Sequence, residues 1–118
     1  MSTWNDGDRK GREIDPEVYR APAGVCAALG NEKRIELVAL LAKGSLSAAE
    51  MREKTGLSRS SLSQHMSILT GEGLIRSKTK GRYVSYELAG QAVVDVYHAV
   101  TKLCRERLEG MRKLARQL

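Results

Sequence analysis

LSAAEMREKTGLSRSSLSQHMSILTGEGLIRSKTKGRYVSYEL, running from Leu46 to Leu88, is the stretch that decides the fold. Ser47-Ala48-Ala49-Glu50 has the S-x-x-E spacing of a capping box, which opens a short helix to about Thr55. Gly56 supplies the left-handed residue that closes it. Ser58 then caps a second helix, Arg59 to Glu72, with Leu62, Met66 and Leu69 on its inward face at i, i+4 and i+7. Its outward face is Arg59, Ser60, Ser63, Gln64 and Ser67. Gly73 ends the helix and Leu74-Ile75 begins a strand. Thr79-Lys80-Gly81-Arg82 is a turn, and Tyr83 to Leu88 alternates as a returning strand. Two short helices on a tight turn, followed by a hairpin with a basic tip, make a winged helix-turn-helix. Such a module places its second helix in a DNA major groove.

Upstream, Asp15-Pro16-Glu17 is a helix start, with an acidic cap and proline at the first helical position. The spacing predicts that this helix restarts at Pro22 and runs to Leu29. Gly30 ends it, and Asn31 caps a central apolar helix from Glu32 to Lys43. Downstream, Gln91 to Leu118 reads as one helix whose stripe includes Val93, Val96, Val100, Leu103, Leu108, Met111 and Leu114. At 1.5 Å per residue it spans roughly 40 Å, more than a small core needs. An apolar stripe without a place inside the monomer implies a partner helix, and a homodimer is the economical answer. The expected fold class is mainly α with a small β-hairpin wing. Residues 15–118 form one domain, and residues 1–14, which include Trp4, form a disordered tail.

Composition narrows the function. A chain of 118 residues supports one modest core, built here without any Phe. The longest wholly apolar run, Leu37 to Ala42, is far too short for a bilayer, and Met1 to Arg12 lacks an apolar export segment. A cytoplasmic protein without membrane association is expected. No Ser/His/Asp set, carboxylate pair or phosphate-cradling glycine loop stands out, so the chain is not read as an enzyme and no cofactor is expected. The net charge is +6. Between Arg52 and Arg82, Arg52, Lys54, Arg59, Arg76, Lys78, Lys80 and Arg82 are opposed only by Glu53 and Glu72. A localised positive stripe is the footprint of polyanion binding.

Within that stripe, Arg59, Ser60, Ser63 and Gln64 are the expected base readers. Arg and Gln make bidentate contacts to guanine and adenine edges, and small hydroxyls let the backbone approach closely. Ser58, Ser61, His65, Lys78, Lys80 and Arg82 are expected to hold phosphates or reach the minor groove. Tyr83 and Tyr86, three apart on a strand, point to opposite faces. His65 and His98 read as structural, and no metal site is expected. The two cysteines, Cys26 and Cys104, are too few for an all-cysteine zinc site and, in a cytosolic chain, unsuited to a permanent staple. They are buried spectators, a redox pair or part of a mixed-ligand site. Cys26 falls on the expected inner side of its helix, and Cys104 on or beside the long apolar stripe.

Four segments together carry a resemblance. They are Ala28-Leu29-Gly30-Asn31-Glu32-Lys33-Arg34-Ile35, Leu57 to Met66, Leu69-x4-Leu74-Ile75, and Gly81-Arg82-Tyr83-Val84-x-Tyr86. In order and spacing they resemble the ArsR/SmtB family of bacterial repressors, over about Val25 to Leu108. The resemblance implies a homodimer through the first and last helices. It also implies binding to an imperfect inverted repeat in double-stranded operator DNA, with release by an inducer. Where arsenite, cadmium and lead sensors often carry Cys-x-Cys, this chain has Ser47 and Ala49. Asp95 and His98 are nearest to the zinc and nickel pattern but do not complete it.

A further branch of the family senses persulfides, sulfane sulfur or oxidants through two cysteines. Cys104 is close to one of those positions, whereas the usual partner position falls near Ala39 rather than at Cys26. The resemblance therefore implies redox sensing through a Cys26/Cys104 pair. A disulfide there requires Cα atoms within about 7 Å. Arsenite or heavy-metal sensing by the same cysteines is an alternative, as is a protein-interaction module that kept the winged helix as a scaffold.

Overall fold

The computed structural model describes residues 14–118. The expected tail, apart from Ile14, lies outside them, as does Trp4. A 3-10 turn, Pro16–Tyr19, is capped by Asp15, whose carboxylate accepts the Glu17 N–H at 2.9 Å. It leads directly into α1, Arg20–Leu29. The helix thus restarts at Arg20 rather than at Pro22. Pro22 sits in the first turn of α1, where a missing N–H leaves no intrahelical bond unmade.

Asn31 caps α2, Glu32–Ala42, by accepting from the N–H groups of Lys33 and Arg34. Helix α2 is central: it packs against α1, against the helices α3 (Ala48–Thr55), α4 (Arg59–Gly71) and α5 (Gln91–Arg116), and against strand β3 (Tyr83–Leu88). Leu37, Val38 and Leu41 of α2 are buried, joined by Met51 of α3 and by Leu62, Met66 and Leu69 of α4. Met51 is fully enclosed. Truncating such a side chain to alanine costs about 2–5 kcal/mol. Where α1 meets α4, Gly24 lies so close to the Glu72 carboxylate that a Cβ would stand 2.7 Å from Oε2.

The sheet is antiparallel, ordered β1-β3-β2, where β1 is Leu46–Ser47 and β2 is Ile75–Lys80. Strand β1 was not expected; at two residues it is too short to show alternation, and it exists because Leu46 pairs with Tyr86. Ile75 pairs with Leu88 at the root of the hairpin, and both are buried. Everything beyond is exposed or half-buried, so the hairpin projects as a wing. Strand β2 runs through Thr79 and Lys80, which the sequence placed in the turn, while β3 starts at Tyr83 as expected; a two-residue turn, Gly81-Arg82, is left. Gly81 has φ +63°, and no other residue type takes a positive φ among the described residues. A left-handed glycine first and an ordinary residue second is the II′ arrangement that matches strand twist. Tyr86 packs on the core and Tyr83 is 81% exposed, on opposite faces as expected.

The start of α5, its first two turns, rests Val93, Val94 and Tyr97 against the core. Beyond it Val100, Leu103, Leu108, Met111 and Leu114 are exposed. Two expectations about the thiols change. Cys26 is exposed rather than inward, because Val25, Ala28 and Leu29 occupy the buried side of α1 and leave Cys26 off it. Cys104 is exposed as well, so neither cysteine is a buried spectator within one protomer. Among the described residues no helix is long and apolar enough to cross a membrane.

Candidate nucleic-acid interface

The presentation of α4 begins one helix earlier. Ser47 accepts the Glu50 N–H at 3.1 Å while Glu50 accepts the Ser47 N–H at 3.0 Å, a complete capping box. The hydrogen bond from the Ser47 backbone N–H, with a smaller contribution from the Ser47 side chain, holds the Glu50 carboxyl below its ordinary pKa. Gly56, at φ +74°, turns the chain out of α3, and its N–H reaches the Arg52 carbonyl at 2.8 Å. Thr55 donates its hydroxyl to the Met51 carbonyl and accepts the Leu57 N–H, bracing the turn. The ammonium of Lys33 donates to the Thr55 carbonyl at 3.3 Å, a cation at the C-terminal end of α3. Ser58 then caps α4 through the Ser61 N–H at 3.1 Å.

The turn fixes which residues face outward. Arg59, Ser60, Ser63 and Gln64 are all exposed on one side of α4, with Leu62 and Met66 buried on the other. The expected base readers therefore share an open face. The expected phosphate ligands divide. Ser58 is exposed but its oxygen serves as the cap, and Ser61 is half-buried. His65 is half-buried with Nδ1 3.4 Å from Nη1 of Arg34. Because a guanidinium has only donors, Nδ1 is the acceptor and the His65 proton is assigned to Nε2.

Sequence reasoning gave Arg34 no role. Besides His65 it donates Nε to the Ala28 carbonyl at 2.5 Å and Nη2 to the Ala27 carbonyl at 3.4 Å. It thereby ties the end of α1 to α4, and no local pattern in the sequence signals a contact of that kind.

On the wing, Glu87 lies opposite Arg76 in the register and accepts from it at 2.7 and 2.8 Å. Lys78, diagonal to Glu87, approaches to 3.7 Å. The Arg76 hydrogen bond keeps the Glu87 carboxyl below its ordinary pKa. Lys80 and Arg82 at the tip are exposed and form no ion pair among the described residues. A polar helix face beside a projecting cationic tip suits a groove and its flanking phosphates.

The model of the bacterial regulatory protein, arsR family, matches residues 31–77, which run from the cap of α2 into β2. The transcriptional activator HlyU of Vibrio cholerae is 31% identical over 74 residues, which cover 60% of this chain and 68% of HlyU. The chain belongs to the ArsR family of bacterial regulatory proteins. The nodulation protein NolR of Rhizobium meliloti is 30% identical over 81 residues, and the match spans 66% of NolR. In three dimensions, the homodimeric winged helix-turn-helix DNA-binding domain of Mb0332 from Mycobacterium bovis superimposes with a TM-score of 0.75 at 26% identity. It covers 93% of this chain and 95% of that domain. The ArsR fold places α4 as the second helix of the helix-turn-helix and β2–β3 as the wing. As an ArsR-type winged-helix regulator, the protein belongs with transcriptional regulators rather than enzymes.

Proposed function

We propose that the protein is a homodimeric, sequence-specific transcriptional repressor that binds an imperfect inverted repeat in double-stranded operator DNA. Modification of Cys26 and Cys104 by a persulfide, sulfane sulfur or an oxidant releases it. The observation that carries the DNA-binding reading is the open face of Arg59, Ser60, Ser63 and Gln64 together with the exposed tip cations Lys80 and Arg82, which form no ion pair among the described residues. Arg59, Ser60, Ser63 and Gln64 read bases. Ser58, Ser61, His65, Lys78, Lys80 and Arg82 position the backbone, with His65 and Lys78 already engaged by Arg34 and Glu87. Repression by occluding an operator needs only DNA binding, whereas activation needs a further surface for the transcription machinery. Gln64→Ala is expected to weaken operator binding by about 1–3 kcal/mol while sparing random duplex. Equal losses on both DNAs would remove Gln64 from the base-reading set.

The thiol reading is supported by the exposure of both sulfurs, which a small sulfur donor can reach. Duplex binding is measured with reduced protein and again after a persulfide donor, peroxide or arsenite, beside Cys104→Ser. Release of the wild type but not the variant by persulfide or peroxide is the expected result. Release by arsenite alone replaces this reading with a heavy-metal response at the same cysteines. Unchanged affinity throughout overturns thiol control.

A further inference from the structure

Behind Arg59 the two helices of the helix-turn-helix do not close fully on each other. A cleft of about 420 Å³ remains between α3, α4 and β3. Met51, Leu62, Met66 and Tyr86 line it, and the charged residues among its lining are Arg52 and Arg59. No carboxylate lines it among the described residues. The cleft has a floor, because Met51, Leu62 and Met66 are buried, and a mouth, because Arg59 is exposed. Its volume is within the range of pockets that hold small organic ligands, which are mostly apolar with a few convergent polar groups.

The chemistry of the walls selects the occupant. Thioether, aliphatic and ring carbons favour an apolar body over water. Two guanidiniums without a competing acid favour an anionic end, and the start of α4 adds the positive end of a helix dipole. We propose that this cleft is a binding site for a small amphiphilic carboxylate, an aliphatic or aryl acid. Its body lies against Met51, Met66 and Tyr86, and its carboxylate is held by Arg52 and Arg59. An amine is repelled there, and a neutral alcohol forgoes the charge-assisted bonds. Arg59 belongs to the face assigned to base reading, so an occupied cleft and DNA compete for it. That competition rests on the DNA-binding reading above, whereas ligand binding itself does not.

The chain has four methionines, so methyl-labelled methionine NMR on the full chain reads the cleft directly. Octanoate below its micellar concentration should shift the Met51 and Met66 methyls saturably and leave Met111 on the exposed α5 stripe unmoved. 1-Octanol should bind about tenfold more weakly, and Arg52→Ala with Arg59→Ala should weaken octanoate about tenfold without affecting 1-octanol. Ala49→Leu, which adds bulk at the cleft wall, should abolish the Met51 and Met66 shifts. Shifts confined to Met111, equal affinity for acid and alcohol, or no shift at all would overturn the site. In a second arm, octanoate at saturation should lower wild-type affinity for a labelled duplex. If the wild type binds no duplex, the DNA-binding reading fails while the methyl shifts still decide the cleft. If octanoate saturates the cleft with duplex affinity intact, the competition is overturned.

Discussion

Arg34 is at the third position of α2, yet its guanidinium serves two other helices. At the end of α1 the Ala28 carbonyl has no backbone partner among the described residues, and the Ala27 carbonyl accepts the Gly30 N–H at 3.1 Å with one lone pair left over. A rigid fork of donors satisfies both and still reaches His65 on α4, which a lysine ammonium on a flexible stem does not reproduce. Arg34→Ala is expected to destabilise the protein by about 1–3 kcal/mol, measured by urea unfolding at fixed protein concentration. Arg34→Lys should recover only part of that loss. The exposed polar face of α4, by contrast, was legible in the sequence. Arg59, Ser60, Ser63 and Gln64 fall outside a strict i, i+4, i+7 apolar stripe, so the periodicity alone put them on the open face. Arg34 and the inward histidine were not legible, because the contact joins positions 31 apart and depends on how three helices cross.

At the scale of elements, α3 is eight residues long and would be marginal as an isolated helix. Its capping box and the left-handed Gly56 therefore add to the burial of Met51 in holding it helical. Ser47→Ala should cost about 1 kcal/mol at neutral pH. The Glu50 half of the box titrates. Its folded pKa lies below the ordinary value of 4.5, so its contribution is fully present above that pH and is lost as pH falls through the lower folded value. Glu50→Ala should accordingly destabilise at neutral pH, with the difference from wild type shrinking on acidification. A difference constant down to pH 2 would show that the carboxylate is not what the cap uses. The hairpin is the other informative element. Its existence and the span of β3 followed from the alternation of Tyr83 to Leu88, but the end of β2 did not, since Thr79 and Lys80 read as turn residues and only the φ of Gly81 confines the turn to Gly81-Arg82.

The whole protomer leaves an apolar surface uncovered. No residue of α5 is buried, and Leu103, Met111 and Leu114 are each more than half exposed. Water against such a stripe is unfavourable in proportion to its area, and in the proposed homodimer a second α5 would cover it. Leu103→Glu should raise the dimer dissociation constant by about two orders of magnitude, read by sedimentation equilibrium, because a carboxylate would be buried without a partner. A variant that stays dimeric at wild-type concentrations would place the interface elsewhere. Local sequence by itself determined the helix-turn-helix, its caps, the wing and the polar face of α4, because caps, left-handed glycines and apolar periodicity act within a few residues of one another. Tertiary structure alone decided that Cys26 faces outward, that Arg34 links α1 to α4, that Leu46 and Ser47 join the sheet, and that a cleft opens beneath Arg59. Each of those depends on distances between elements far apart in the chain, which short-range periodicity does not encode.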